Sequence, residues 1–165
     1  MIDLRLGDCL EIMKTIPDGS VDAVITDPPY SSGGMYRADR AVATGSKYQI
    51  SHETRRTYAA FSGDNRDQRS FEKWCAWWMA LALRKTREGG GLACFIDWRN
   101  LASVIDALQV AGWVYRGITP WYKGSDQRPV KGWFRRNIEY IVWGTCGPLL
   151  TGPRADGECL DGMFF

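Results

Sequence analysis

One short stretch constrains the fold of this chain more than any other: an apolar run that ends at two consecutive prolines. Residues 21–26 read VDAVIT and are followed by Asp27, Pro28, Pro29 and Tyr30. A nearly continuous apolar run is typical of a parallel strand that is covered on both faces. Proline has a fixed φ and no backbone N–H, and it keeps the preceding residue out of the helical region. We therefore expect a strand that ends in a stiff, extended turn, with an acid and an aromatic ring at the two ends of that turn.

The remaining segments alternate between strand and helix patterns. Strands are predicted at 2–8, 21–26, 91–98, 113–124 and 137–145, and helices at 9–17, 70–89 and 99–112. Ser70 is the predicted cap of the long helix and Gly89 its predicted end. This order predicts an α/β fold with a mostly parallel sheet and helices on both faces. The last two strands have no helix between them, so we expect an antiparallel hairpin at one edge.

The length of 165 residues indicates a single domain, 1–165. Residues 31–69 have weak periodicity and seven Lys or Arg against four acids, which predicts a long basic loop. A second basic segment covers 124–136, and 146–165 read as an irregular tail. The net charge of only +2 does not by itself indicate a nucleic-acid partner, so the clustering of the charges carries more information than their sum.

Several classes of protein are disfavoured. The five cysteines form no C-x-x-C pair, and they are expected to be reduced thiols packed as small hydrophobic residues. The single histidine, His52, has no motif around it, so we expect no metal site. The N-terminus lacks the pattern of a signal peptide, and no apolar run is long enough to span a membrane.

The turn at 27–30 has the groups that methylation of an exocyclic base amine requires. The lone pair of such a nitrogen is conjugated with the ring, so acceptors on both N–H groups are needed to free it. The Asp27 carboxylate and the Pro28 carbonyl can be those acceptors, and the ring stiffness of Pro28 and Pro29 preorganises them. Tyr30 can stack on a base flipped out of the helix. Ligands of such sheets bind beyond the carboxyl ends of the strands, where this turn is expected to lie.

On its DPPY motif the sequence resembles the amino-methylating (N6-adenine or N4-cytosine) DNA methyltransferases, whose motif is (D/N/S)-P-P-(Y/F/W). The lead-in LGDCLEIMKTIPDGSVDAVITDPPY resembles the subgroup with the catalytic motif N-terminal, and TDPPYSSGGMYR and FSGDNRDQRSF resemble phage or prophage versions. The resemblance implies a Rossmann-like fold that depends on S-adenosylmethionine. It implies catalytic roles for Asp27, Pro28, Pro29 and Tyr30, and cofactor binding by Asp8, Cys9 and Asp27. Asp8 is also a candidate helix cap, and the two roles are compatible.

The implied activity is methyl transfer to the N6 of adenine in double-stranded DNA, in the cytoplasm of a bacterial or phage-infected cell and in the context of restriction–modification. Adenine is favoured because aspartate at the first motif position is commoner in adenine-N6 enzymes. Cytosine N4, RNA, and a non-catalytic DNA-binding or interaction module remain alternatives. NIEY at 137–140 resembles a segment near the target base, although ordinary strand residues would read the same. Candidate DNA contacts are Arg37, Arg40, Lys47, Arg55, Arg56, Arg128, Lys131, Arg135 and Arg136, with Tyr36, Tyr48, Tyr58 or Phe61 filling the space of the flipped base.

The family's glycine-rich turn for the methionine end of the cofactor, F-x-G-x-G after a strand, has no match in the sequence. EGGGLACF has its glycines before a strand, and WGTCGPLL has the wrong spacing. The resembled subgroup carries this motif further toward its C-terminus, together with two central strands. We therefore expect an incomplete domain, completed by the missing half of the enzyme or by a second chain, and weak cofactor binding by the chain alone. Without those strands, 3–6 and 21–26 must pair directly, or another chain must fill the gap between them.

Overall fold

The computed structural model describes residues 2–31, 63–124, 132, 134 and 137–148. Three helices and four strands are formed within these residues. In chain order they are α1 (Cys9–Lys14), β1 (Val21–Thr26), α2 (Gln68–Lys85), β2 (Thr86–Ile96), α3 (Leu101–Val110), β3 (Val114–Tyr122) and β4 (Ile138–Thr145). The predicted α/β fold is confirmed by this alternation.

The four strands form one mixed sheet in the order β1-β2-β4-β3. β1 and β2 are parallel, with Val24 beside Leu92 and Thr26 beside Cys94. β4 is antiparallel to both β2 and β3, and β3 lies at the edge. The predicted antiparallel edge hairpin is therefore present, and the parallel part of the described sheet is the β1–β2 pair. Since β1 and β2 point the same way, their carboxyl ends lie at the same edge of the sheet.

The hydrophobic core lies between one face of the sheet and the helices α2 and α3. Leu92, Cys94 and Ile96 alternate along β2 and are fully or almost fully buried, as expected of a strand with one face on the core. Helices α2 and α3 contribute most of the other core side chains, namely Phe71, Cys75, Trp78, Met79, Ala82, Val104, Ala107 and Leu108. Burial raises the pKa of the Cys75 thiol to about 12, so this cysteine packs as an unreactive hydrophobic residue.

The junction between α2 and β2 differs from the sequence prediction at both ends of the helix. Asp67, not Ser70, caps α2, because its Oδ1 accepts hydrogen bonds from the backbone N–H groups of Arg69 and Ser70 at 3.1 Å. The helix ends at Lys85, four residues before Gly89, because Thr86 adopts an extended conformation with φ −86° and ψ 135°. The predicted helix end at Gly89 is wrong, since the extended β2 already begins at Thr86 and pairs there with Val21 of β1.

Ion pairs attach the start of β1 to this junction. The nearly buried ammonium of Lys85 lies 2.6 Å from Asp18 Oδ1, and Arg84 Nε lies 2.8 Å from Asp18 Oδ2. These two cations lower the pKa of the Asp18 carboxyl. The pairs therefore hold the turn before β1 against the end of α2.

The predicted strand at 2–8 is not formed, and this is a correction to the sequence prediction. Ile2, Leu4 and Leu6 are at least 94% exposed, and among the described residues β1 pairs with β2 alone. A strand without a hydrogen-bonded neighbour is not stable in water, which explains why the alternating pattern of 2–6 is not sufficient here. The outer edge of β1 and the side chain of Ile25, which is 76% exposed, are also uncovered by the described residues.

Candidate active site

The turn predicted from the two prolines lies at the carboxyl end of β1. β1 ends at Thr26, which pairs with Cys94, so Asp27 follows beside the carboxyl end of β2. Asp27 is exposed, Pro28 is buried, and Pro29 and Tyr30 are partly buried. The turn therefore presents its acid to solvent and turns its rings inward.

Tyr30 lies between acidic side chains. Its hydroxyl donates a hydrogen bond to Glu139 Oε2 at 3.3 Å. Burial raises the pKa of the Tyr30 hydroxyl well above its usual value, and the carboxylates of Asp27 and Glu139 raise it further. The hydroxyl thus stays protonated at any physiological pH and acts as a hydrogen-bond donor.

The backbone of Tyr30 is held by the residue that precedes α3. Asn100 is 7% exposed, and its Nδ2 donates a hydrogen bond to the Tyr30 carbonyl at 2.7 Å. Asn100 occupies the N-cap position of α3 but makes no side-chain capping bond, and its φ of −109° and ψ of 14° differ from the extended conformation of a cap. The amide is therefore used on the turn and not on its own helix.

Ser31 fixes the far side of the turn. It has a φ of 52°, in the left-handed region that a residue with a side chain seldom adopts. Its N–H donates to Asp64 Oδ1 and its hydroxyl donates to the Gly63 carbonyl, each at 2.9 Å. Asp64 is 1% exposed. These bonds offset the backbone strain and hold residues 31 and 63–64 together.

An ion pair and a partly buried carboxyl group lie at the same end of the sheet. Lys123 Nζ lies 2.5 Å from Glu139 Oε1 and 5.3 Å from the centre of the Trp121 ring. Asp97 directly follows β2, and burial raises the pKa of its carboxyl while Arg99 opposes that rise. The carboxyl ends of β1 and β2 and the connected end of the β3–β4 hairpin thus bring together Asp27, Tyr30, Asp97, Asn100, Lys123 and Glu139.

The other predicted site residues have different positions. Asp8 caps α1, accepting from the Leu10 N–H at 2.8 Å, and Cys9 is exposed at the start of that helix. The nine candidate DNA contacts, from Arg37 to Arg136, lie outside the described residues, as do Tyr36, Tyr48, Tyr58 and Phe61. Most of the predicted 31–69 loop and of the 146–165 tail also lies outside them, although α2 already begins at Gln68.

Sequence reasoning missed Asn100, Asp97, Lys123 and the Asp64 contact with Ser31. Asn100 and Asp97 follow the buried strand β2, at the edge of the sheet where ligands bind. Their position after this strand is the sequence signal by which they could have been identified. Glu139 belongs to NIEY, whose resemblance to a segment near the target base assigns no role to the glutamate. In the part of the chain that the structure describes, no cluster of His, Cys, Asp or Glu suits a metal ion, and no helix is long and apolar enough to cross a membrane.

Comparison with known proteins identifies the family. The model of a family described as DNA methylase, comprising N6 and N4 enzymes, matches residues 21–147. A putative methylase of Escherichia coli K12, YubD, is 46% identical over 37 residues, which are 22% of this chain and 16% of that protein. The chain therefore belongs to the N6/N4 DNA methylase family.

Solved structures agree with the fold. A putative DNA modification methylase from Thermus thermophilus, complexed with S-adenosylmethionine, matches 92% of this chain and 58% of its own at 16% identity, with a TM-score of 0.59. PvuII DNA methyltransferase, described as cytosine-N4-specific, matches 86% of this chain and 48% of its own at 16% identity, with a TM-score of 0.58. The chain thus spans about half the length of these structures, and the mixed, open sheet is that of a methyltransferase.

Proposed function

We propose that this chain is the catalytic and DNA-facing part of an S-adenosylmethionine-dependent methyltransferase that acts on the N6 of adenine in double-stranded DNA. The observation that carries the proposal is the DPPY turn at the carboxyl end of β1, with an exposed acid and a tyrosine fixed by bonds to both its carbonyl and its hydroxyl. Family membership supports the same reaction class. The enzyme would work where its DNA is, in the cytoplasm of a bacterial or phage-infected cell.

In the proposed mechanism each residue of the turn has one task. The Asp27 carboxylate accepts one N–H of the target amino group, and the Pro28 carbonyl accepts the other, which draws the nitrogen toward tetrahedral geometry and frees its lone pair. The Tyr30 ring stacks on the flipped base and holds the amino group at those acceptors. S-adenosylmethionine, when bound, supplies the methyl group.

The described residues suit part of this cofactor. Asp27 is an exposed carboxylate that can face a positively charged group. Asp8 uses Oδ1 to cap α1 and is itself exposed, so its carboxylate is accessible to a ribose hydroxyl or an amino group. Cys9 adjoins Asp8 at the start of the same helix. These groups support roles for Asp8, Cys9 and Asp27 in binding it.

Methyl transfer to unmethylated DNA tests the proposal. The product nucleosides of a reaction with labelled S-adenosylmethionine are separated, and we expect N6-methyladenine. Asp27→Ala is expected to reduce the rate by about 10²–10³-fold, as loss of a preorganised polar group does, without loss of folding because Asp27 is exposed. Full activity after this substitution would contradict the mechanism.

The same experiment separates the alternatives. The adenine assignment rests on the aspartate of DPPY, and N4-methylcytosine as the product would replace it. Cytosine N4 is retained as the second target because the fold is similar to that of a cytosine-N4-specific enzyme. DNA binding with no methylated product, even with a complete domain, would favour a non-catalytic module. The basic residues of 31–69 and 124–136 are proposed as the DNA contacts in both cases, because they flank the turn and NIEY in the sequence.

We further propose that the sheet is completed by the cofactor-binding half of a methyltransferase domain, carried on the same polypeptide or on a second chain. The uncovered edge of β1, the exposed Ile25, and the exposed alternating residues Ile2, Leu4 and Leu6 support this proposal. The matches to two similar solved structures cover 58% and 48% of those chains, so a large part of each lies outside the match, which fits a missing half.

Two measurements on the 165-residue chain test the completion. Calorimetric titration is expected to show weak binding of S-adenosylmethionine, and tight one-to-one binding would refute the proposal. Amide hydrogen exchange is expected to leave the outward-facing N–H groups of β1 unprotected, because exposed backbone groups exchange readily. Full protection along β1 would mean that its edge is already covered.

A further inference from the structure

The Tyr30 hydroxyl can donate its single hydrogen to either of two carboxylates, Glu139 or Asp27. Glu139 Oε2 accepts it at 3.3 Å, and Asp27 is close enough for its charge and hydrogen bonding to raise the pKa of Tyr30 as well. The two acceptors are not equivalent in the proposed reaction. A hydrogen bond from Tyr30 would draw electron density from the Asp27 carboxylate and weaken it as an acceptor for the target amino group, whereas Glu139 is not part of the turn.

We infer that Glu139 is a positioning residue that accepts the Tyr30 hydroxyl, fixes the orientation of the ring and leaves the Asp27 carboxylate available to the target amino group. The inference rests on the proposed function, because it concerns the acceptor that this reaction uses. Glu139 does not touch the substrate in this arrangement, and it acts through Tyr30.

Glu139 is itself held firmly enough for this task. Its side chain is 18% exposed, and burying a carboxylate to this extent is costly unless the charge is paired. Lys123 pairs with Oε1 at 2.5 Å, which leaves Oε2 directed at Tyr30. Glu139 also lies opposite Trp121 in the β3–β4 ladder, and the Lys123 N–H donates to the Asn137 carbonyl at 2.8 Å. Both members of the pair are therefore fixed by the end of the hairpin.

The isosteric substitution Glu139→Gln redirects the hydrogen of the Tyr30 hydroxyl from position 139 to Asp27. Lys123 has only donors and will retain the amide oxygen, so the amide NH₂ group will face the Tyr30 hydroxyl. The hydroxyl must then accept from the amide, and its own hydrogen turns to Asp27. The Asp27 carboxylate becomes a weaker acceptor for the target amino group, while the surface that binds DNA is unchanged.

The kinetic test compares this variant with a matched control. We expect Glu139→Gln to lower kcat about 3–10-fold, as the loss of one hydrogen bond would, with KM for DNA unchanged. Glu88→Gln, the same substitution at an exposed position of β2, is expected to leave both constants unchanged. Equal kcat values for Glu139→Gln and the native chain would overturn the inference.

A double-mutant cycle separates action through Tyr30 from a general structural effect. Tyr30→Phe keeps the stacking ring and removes the hydroxyl, so Asp27 has no competing donor. We expect Glu139→Gln to cause no further loss of kcat when combined with Tyr30→Phe, because the two positions act through one hydrogen bond. If the two effects add, Glu139 acts through Lys123 or the strand, and the inference is wrong.

A readout that needs no activity keeps this inference distinct from the proposed function. With ¹³C at Cζ of the seven tyrosines, the Tyr30 signal is assigned by its loss in Tyr30→Phe. This signal is expected to move in Glu139→Gln and to stay in place in Glu88→Gln. If it does not move, the inference fails whatever the activity. If it moves while the native chain, with its domain complete, methylates no base, then the proposed function fails and the hydroxyl contact stands.

Discussion

The hydrogen bond from Asn100 to the Tyr30 carbonyl can be tested by two substitutions, of which only one introduces a titratable group. Asn100 is 7% exposed and its donor lies 2.7 Å from that oxygen. Asn100→Ala removes the donor and leaves a partly buried carbonyl without this partner. Asn100→Asp keeps the size of the side chain but places a second acceptor against the carbonyl. The first variant thus leaves no polar group facing the Tyr30 oxygen, and the second leaves an acceptor whose charge depends on pH.

The expected magnitudes follow from this burial. An unsatisfied buried acceptor costs about 1–3 kcal/mol, so for this partly buried carbonyl Asn100→Ala should lower the free energy of unfolding by about 1–2 kcal/mol. At neutral pH Asn100→Asp should be less stable still, because an ionised carboxylate repels the carbonyl oxygen. The same repulsion raises the pKa of the new carboxyl in the folded protein above its unfolded value of about 4. A group with a raised folded pKa contributes stability at low pH and loses it as the pH rises, so acid should restore this variant.

Urea unfolding, followed by tryptophan fluorescence at about pH 7.5 and about pH 4.5, measures both effects. The informative quantity is the difference between the two variants, because Asp97 and the other acids titrate in both of them and cancel. We expect Asn100→Asp to be the less stable variant at neutral pH and to equal or exceed Asn100→Ala in acid. A difference that does not change with pH would refute the assigned hydrogen bond.

The remaining predictions concern stability. Asp64→Ala removes the buried acceptor of the Ser31 N–H and should lower the free energy of unfolding by about 1–3 kcal/mol. The control Asp106→Ala, at an exposed position of α3, should change this free energy by less than about 0.5 kcal/mol. Urea titrations measure both. Leu92→Ala should cost about 2–5 kcal/mol because Leu92 is 2% exposed, and Val110→Ala, at a 74% exposed position, should cost little in the same assay. Equal losses within either pair would contradict the assigned burial or contact.

The elements of the fold that could be predicted from the sequence are those that the local sequence pattern determines. The apolar run at 21–26 and the two prolines are sufficient to place β1 and its turn, and the absence of a helical sequence pattern between the last two predicted strands predicts the hairpin. The segment 2–8 has an equally good strand pattern, but it lacks a neighbour in the described sheet, and pairing depends on tertiary structure. The end of α2 was misplaced for a similar reason, because Thr86 becomes extended to pair with Val21.

The candidate site divides in the same way. The motif at 27–30 is contiguous, so its chemistry can be read from the sequence. Its supports cannot, because Asn100 and Glu139 are separated from Tyr30 by 70 and 109 positions. The Asp64 contact with Ser31 spans 33 positions. None of these pairings is contiguous in the sequence. Those of Asn100 and Glu139 depend on the sheet order that places the ends of β1, β2 and β4 together.

These contacts, which are distant in sequence, restrain torsion angles that the two prolines do not fix. Proline fixes φ at 28 and 29, but it does not fix the side chain of Tyr30 or the backbone that follows it. The bonds to the Tyr30 hydroxyl, the Tyr30 carbonyl and the Ser31 N–H restrain those remaining torsions. Asp27, by contrast, has an exposed side chain and stays available. In the proposed enzyme, loss of a support should therefore lower kcat through misorientation of the ring, whereas loss of Asp27 removes an acceptor outright and should cost far more.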